Sequence, residues 1–146
     1  MGNNQPDIDN KKKQPDSTNN PTTNSNPKPE QKPFSEFISE HFIPGLYKAL
    51  TDAGITPETI VLEKGSRPVT GDECWMVIGQ IPGGRRFWLC FNTDKISSNK
   101  TVAIAENGSF PSDLESFLID EKRTTCALLI SRLLQRLNGQ KWLGAN

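Results

Sequence analysis

The sequence lacks the features that mark membrane, secreted and metal-cluster proteins. Its apolar runs are far shorter than the roughly 18 residues that favour a membrane span, and it has no apolar signal core near its N-terminus. It contains three cysteines and one histidine. An odd number of cysteines without a CxxC pair argues against a disulfide framework or an iron–sulfur site. We therefore expect reduced, mostly buried thiols in a protein of a reducing compartment.

Neither the charge balance nor the motifs point to a substrate class. The 17 basic and 17 acidic residues cancel, so no net field would attract nucleic acid or an anionic membrane. The pair Gly83 and Gly84 lies in a predicted hairpin and is not followed by a helix, which excludes a phosphate-binding loop. No GxSxG or HExxH motif is present, and no motif gives His41 a catalytic partner. We expect no catalytic residue, no cofactor and no metal in this chain.

The first 32 residues differ in composition from the rest of the chain. They are rich in Asn, Pro, Lys, Asp, Thr and Gln, and Ile8 is the only aliphatic residue after Met1. Such a segment buries too little apolar surface to offset the entropy lost when it is ordered. The sequence thus predicts a disordered polar tail over residues 1–32 and a single folded domain over residues 33–146.

Apolar residues at helical spacing predict a helix at the start of this domain. The pattern comprises Phe34, Phe37, Ile38, Phe42, Leu46 and Leu50. Pro44 interrupts it, because proline has no backbone N–H and disfavours helical geometry at the preceding residue. We expect a kink at Pro44 or two short helices, and a helix end at Gly54.

Four segments have the composition of β-strands. They are predicted at residues 59–63, 74–81, 85–91 and 100–105. A Pro-Gly-Gly turn should join the second and third strands as a hairpin, whose register stays open because a one-residue shift exchanges the two faces. The face that carries Phe87, Leu89 and Phe91 is expected to pack on the helices. The opposite face, with Trp88 and Cys90, would be unusually apolar for a surface in contact with solvent.

The C-terminal region predicts a long amphipathic helix. Ser112 is a good N-cap, Glu115 can complete a capping box with it, and Gly139 can end the helix. The apolar stripe widens between Leu128 and Leu137, which suggests burial on two sides or an exposed patch that needs a partner. The predicted fold class is α+β: a two-layer domain with an N-terminal helix, a four-stranded antiparallel sheet and a long C-terminal helix.

Two adjacent arginines are the leading candidates for partner binding. Arg85 and Arg86 follow the Gly-Gly turn, and guanidinium groups pair bidentately with carboxylates. They therefore suit an acidic partner, but the sequence favours the alternative, ordinary strand-edge charge that keeps the hairpin soluble. The other candidates are Trp88, Asp120, Glu121, Arg123, Lys141 and Trp142. The charged run from 120 to 123 is either a solvated helical face or a salt-bridge cluster at an interface.

Four segments together carry a family resemblance. They read KPFSEF from Lys32, CWMVIG from Cys74, LESFLIDEKR from Leu114 and QRLNGQKWL from Gln135. The sequence resembles a small cyanobacterial and chloroplast family, long catalogued as a domain of unknown function, that includes peripheral subunits of the photosynthetic NADH-dehydrogenase-like (NDH) complex. The resemblance covers residues 32–146. Its most specific part is SFLIDE combined with QRLNGQKWL.

The resemblance implies a non-catalytic accessory subunit that has no cofactor. Such a subunit would stabilise the hydrophilic arm of the NDH complex, with the subunit NdhS as its main partner and ferredoxin nearby, and would support electron transfer from ferredoxin to plastoquinone. It would lie peripherally on the cytoplasmic face of the thylakoid membrane, and the absence of a long Arg- and Ser-rich leader favours a cyanobacterial version. Two other classes stay open: a small-ligand-binding or enzymatic α+β domain with a pocket between sheet and helices, and an assembly factor of another thylakoid complex.

Overall fold

The computed structural model describes residues 28–119 and 123–143, so most of the predicted tail lies outside the described residues. The elements are, in order, a 3-10 turn Pro29–Gln31, α1 Phe34–Phe37, a π-helical turn Ile38–Phe42, α2 Ile43–Asp52, β1 Thr59–Ser66, β2 Glu73–Ile81, β3 Arg85–Phe91, β4 Lys100–Ala105, β5 Glu115–Phe117 and α3 Cys126–Gly139. An N-terminal helical segment, an antiparallel sheet and a C-terminal helix confirm the predicted α+β class.

The sheet has five strands rather than the predicted four. Its strands lie side by side in chain order, and every neighbouring pair is antiparallel. The hairpin register that the sequence left open places Ile81 opposite Arg85 and Ile78 opposite Trp88. Residues opposite each other in an antiparallel pair share a face of the sheet, so this register fixes which side chains lie on each side.

The prediction of a helix starting at Ser112 is wrong. The Ser112 N–H donates to the Ile104 carbonyl at 2.7 Å, and the Ser112 hydroxyl accepts from the Ile104 N–H at 3.0 Å. The following residues form β5, which pairs with β4. A sheet edge offers a row of unpaired backbone groups, and pairing with this edge outweighs the local capping signal. The true N-cap of α3 is Thr125, whose hydroxyl accepts from the Leu128 N–H at 3.1 Å.

The C-terminal end of α3 also differs from the sequence prediction. Gly139 is the last helical residue, and the left-handed position is taken by Lys141, with φ of 63°. The Lys141 N–H donates to the Asn138 carbonyl and the Trp142 N–H to the Leu137 carbonyl, at 2.8 and 3.3 Å. These two bonds form a Schellman motif, which turns the chain back toward the helix. Trp142 is buried as a result, with 4% of its surface exposed.

A π-helical turn separates α1 from α2 directly before Pro44, so the segment forms two short α-helices, which is one of the two predicted alternatives. The Ile43 N–H donates to the Ile38 carbonyl, five residues back, and both residues keep right-handed helical dihedrals. Pro44 has no N–H to continue the α-helical ladder, and the wider turn lies directly before it. The helical segment ends at Asp52, and Gly54 adopts φ of 98°, as expected for a helix stop.

One hydrophobic core lies between the sheet and the helices. Phe87, Leu89 and Phe91 are completely buried in it, which confirms the predicted helix-facing side of β3. β2 adds Val77 and Ile81, and the helices add the fully buried side chains Phe37, Ile38, Phe42, Leu46, Leu50, Leu129, Leu133 and Leu137. No helix among the described residues combines the length and apolar character needed to cross a membrane.

Candidate functional site: the open face of the sheet

The side of the sheet opposite the helices is the candidate site, and we call it the open face. It is formed by Val61 of β1, Cys74, Met76 and Ile78 of β2, and Arg86, Trp88 and Cys90 of β3. Its apolar members form a second cluster that contains no helical residue. The structure thus confirms the predicted apolar face with Trp88 and Cys90.

Three apolar side chains form a row across the open face. The strand register places Val61 opposite Ile78 and Ile78 opposite Trp88. Val61 is 39% exposed, and the other two are half-buried. A contiguous row of partly exposed apolar side chains is typical of a protein-binding surface, whereas single exposed apolar residues are common everywhere.

Arg86 extends this row at the hairpin end of the sheet. Its guanidinium carbon lies 5.0 Å from the centroid of the Trp88 ring, and Nη2 donates to the Ser109 carbonyl at 3.2 Å. No carboxylate of the described residues forms an ion pair with it. The next residue after Ser109 is Phe110, whose side chain is 93% exposed. The apolar row is therefore bordered by a cation, and the chain that this cation contacts carries an exposed aromatic ring at the next residue.

Arg85, predicted to act together with Arg86, lies on the other side of the sheet. Its guanidinium carbon is 5.2 Å from the Trp142 ring centroid, and Nε donates to the Pro82 carbonyl at 3.2 Å. The indole N–H of Trp142 donates to Glu106 at 2.8 Å. Strand alternation separates the two arginines, because successive side chains point to opposite faces. Arg85 and Trp142 therefore join the hairpin to the C-terminal segment.

The other sequence candidates that the structure describes do not join the open face. Lys141 is exposed at the Schellman turn, and Arg123 is exposed beside the N-terminus of α3. At that N-terminus the Cys126 N–H donates to the Glu30 carboxylate at 2.8 Å, although the sequence assigns Glu30 to the tail. Asp120 and Glu121 lie outside the described residues. Of the six candidates that the structure describes, Arg86 and Trp88 are the two brought together on this face.

Arg67 covers one end of the open face, and sequence reasoning missed it. Its side chain is 7% exposed and donates to Thr101 Oγ1 at 2.8 Å, Asn92 Oδ1 at 2.6 Å and Asp72 Oδ2 at 3.1 Å. Hydrogen bonds from Thr70 and Arg67 lower the pKa of the Asp72 carboxyl. This network ties the β1–β2 loop to β4 and to the residue after β3.

The two thiols beneath Arg67 serve as packing groups. Cys74 and Cys90 are buried, with 2% and 0% exposed, and all three cysteines of the chain are free. Burial raises the pKa of Cys90 to about 12 and also raises that of Cys74. The register places Met76 opposite Cys90, so the two cysteines are diagonal neighbours. Both thiols stay protonated near neutral pH and are weak nucleophiles.

A cleft of about 330 Å³ lies between β5 and α3 and is the alternative candidate site. Its lining includes Glu115, Gln135 and Arg136. Arg136 donates two hydrogen bonds of 2.6 Å to the Glu115 carboxylate and a third to Gln140. The charged groups at its centre are therefore paired with each other, which leaves little to orient a small ligand.

This ion pair predicts a specific dependence of stability on pH. The hydrogen bond from Arg136 lowers the pKa of Glu115. A carboxyl with a lowered folded-state pKa stabilises the fold above its unfolded pKa of about 4.3, and this stabilisation is lost as the pH falls through the lower folded value. We expect the urea concentration at the unfolding midpoint to decrease less on acidification in Glu115→Gln than in the wild type. The difference should be modest, because the carboxylate is 42% exposed.

Glu63→Gln is the matched control, because Glu63 is an exposed strand carboxylate with no ion pair among the described residues. Its acid profile should follow that of the wild type. If Glu115→Gln and the wild type lost stability in parallel over this acid range, the ion pair would contribute nothing to acid stability.

Comparison with known proteins identifies a family but no activity. The profile of the family described as "Protein of unknown function (DUF2996)" matches residues 28–144. The match spans both helical parts and all five strands. No curated protein matches the chain. Among residues 28–119 and 123–143, no group of three or more His, Cys, Asp or Glu side chains could hold a metal ion.

Proposed function

The chain belongs to the DUF2996 family, and we propose that it is a non-catalytic accessory subunit of the photosynthetic NDH complex, equivalent to the peripheral subunit NdhV. In this role it stabilises the hydrophilic arm beside NdhS and the ferredoxin-docking region. It supports cyclic electron transport from ferredoxin to plastoquinone without binding a cofactor itself. It is peripheral to the thylakoid membrane and reaches its cytoplasmic face through the complex.

The open face is the observation that carries this proposal. In the described part of the chain no second layer covers it, yet it presents Val61, Ile78 and Trp88 in one row. When a partner covers exposed apolar surface, each Å² removed from water contributes roughly 25 cal/mol to the free energy of binding. Aromatic and arginine side chains such as Trp88 and Arg86 are also the residue types that most often dominate binding energy at interfaces. An accessory subunit needs such a surface.

The segments that carry the resemblance supply further support. CWMVIG contributes Cys74, Met76 and Ile78 to the open face, because alternate residues of β2 point to that side. QRLNGQKWL forms the end of α3 and the Schellman turn that buries Trp142. One shared segment therefore builds the surface, and the other holds the C-terminus against the core behind it.

The alternative of a small-ligand-binding or enzymatic domain has less support. It requires a concave pocket with convergent, available polar groups. In the cleft between β5 and α3, Glu115 and Arg136 bond each other. The third reading, an assembly factor of another thylakoid complex, uses the same kind of surface and differs only in the partner.

Affinity purification from cyanobacterial thylakoids in mild detergent tests the proposal. The tagged full chain should co-purify with NdhS and other subunits of the hydrophilic arm, and it should comigrate with the NDH complex on blue-native gels. A tag-only strain is the control. Recovery without any NDH subunit would overturn the proposal, and comigration with a photosystem would assign the chain to assembly of that complex.

A further inference from the structure

Strand β1 is an unusually open edge of the sheet. It runs for eight residues, Thr59–Ser66, and within residues 28–119 and 123–143 it pairs with β2 alone. It contains no proline, and its pairing with β2 is continuous. Proteins commonly protect edge strands by short length, proline, bulges or several charges. The only charged residues of β1 are the adjacent Glu63 and Lys64, and the Lys64 ammonium lies 5.5 Å from the Trp75 ring centroid.

The ladder identifies which backbone groups of β1 point outward. The Arg67 N–H donates to the Asp72 carbonyl, directly beyond the last paired residues of β1 and β2. Hydrogen-bonded pairs recur at every second residue of an antiparallel ladder. The odd-numbered residues of β1 therefore bond to β2, and Ile60, Leu62 and Lys64 point their N–H and C=O groups away from the sheet. No described residue bonds to these outward groups.

The residue pattern of β1 complements itself in an antiparallel register centred on Val61. If a two-fold axis passes beside Val61, each Val61 faces Val61 of the second copy and each Ile60 faces Leu62 of the second copy. Apolar residues thus meet apolar residues, which stabilises cross-strand pairs.

Two other registers along β1 are less favourable. An axis beside Glu63 would place two like charges directly opposite each other, which is destabilising. An axis beside Leu62 would place Val61 opposite Glu63 and Ile60 opposite Lys64 of the second copy. Both registers lose the matching of apolar residues that the Val61 register provides.

From this complementarity we propose that two copies of the chain pair through β1 to form a continuous ten-stranded antiparallel sheet. The interface is isologous, with the same strand on both sides and a two-fold axis beside Val61. It would join the two open faces at their Val61 side chains. The inference goes beyond the proposed function, because it concerns the unassembled protein and needs no other subunit.

A cysteine scan along β1 tests both the dimer and its register. Val61→Cys should form an intermolecular disulfide under mild oxidation, because a non-hydrogen-bonded pair has Cα atoms about 4.5 Å apart, within disulfide range. Leu62→Cys is the matched control and should remain at the wild-type level. On a non-reducing gel the crosslinked species should have twice the monomer mass of 16.2 kDa.

Light scattering of the purified full chain at micromolar concentrations should show the same doubled mass without any crosslink. Ile60→Pro should restore the monomer while circular dichroism stays unchanged, because it removes an outward N–H that β2 does not use. A monomeric wild type without a Val61→Cys crosslink would overturn the proposal. Crosslinking by Leu62→Cys alone, or a dimer that persists in folded Ile60→Pro, would overturn it equally. None of these measurements involves the NDH complex, so failure here leaves the proposed function intact.

Discussion

Replacing Gly79 by alanine is expected to destabilise the protein by about 3 kcal/mol, at the upper end of the range for overpacked cores. Gly79 lies in β2 opposite Phe87, and a Cβ atom built at this position overlaps the edge of the Phe87 ring. Phe87 is completely buried. Because protein interiors are close-packed, the ring has no free space into which it could shift. The aromatic ring thus requires a strand residue without a side chain beneath it.

Gly65→Ala provides the matched control for this prediction. Gly65 also lies in a strand, and its added Cβ would meet the Met76 methyl group at 3.5 Å, which is an ordinary contact. Both changes reduce the entropy of the unfolded chain equally. Urea unfolding should therefore show a large loss for Gly79→Ala and little change for Gly65→Ala. Similar midpoints for the two variants would mean that the Phe87 ring does not depend on Gly79.

Arg67→Ala is expected to cost about 2–3 kcal/mol of stability, because the buried guanidinium makes charge-assisted hydrogen bonds. Thr101, Asn92 and Asp72 all lose a bond in this variant. The alanine also uncovers the Cys74 and Cys90 thiols. Denaturant titration should show the loss of stability, and labelling of the folded protein with a thiol reagent should become faster.

Arg67→Lys should recover only part of this stability, because one ammonium group cannot bond three separate partners in the fork geometry of a guanidinium. Lys95→Ala, at an exposed position, should stay within about 0.5 kcal/mol of the wild type. An Arg67→Ala variant with wild-type stability and unchanged thiol labelling would contradict the covering role of Arg67.

The sequence predicted those elements whose composition alone favours one structure. The predicted bounds of the third and fourth strands agree with β3 and β4, because both are rich in β-branched and aromatic residues between clear turn signals. β5 could not be predicted, since three residues carry too little pattern and its pairing depends on the free edge of β4. Ser112 is a residue type that can cap a helix, but its hydroxyl and N–H bond to the backbone of Ile104 instead.

Like the secondary-structure elements, the candidate site was predictable from the sequence only in part. Strand alternation predicted an apolar face with Trp88, yet treating Arg85 and Arg86 as a unit ignored the same alternation. Arg67 gave no local signal, because its partners Asn92 and Thr101 lie 25 and 34 residues away in sequence. Phe110 was detectable in principle as an aromatic residue in an otherwise polar turn, but nothing in the sequence linked the preceding residue, Ser109, to Arg86.

Co-purification with single changes in the candidate site tests the central claim that the open face binds the partner. Trp88→Glu places a charge in the apolar row, and Phe110→Glu changes a side chain that is 93% exposed and so leaves the core untouched. Tyr47→Glu, at a 44% exposed position on α2, is the matched control away from the sheet. We predict that the tagged control recovers NdhS and the hydrophilic arm like the wild type, whereas both variants of the site lose them. Wild-type recovery with folded Trp88→Glu and Phe110→Glu would contradict the account.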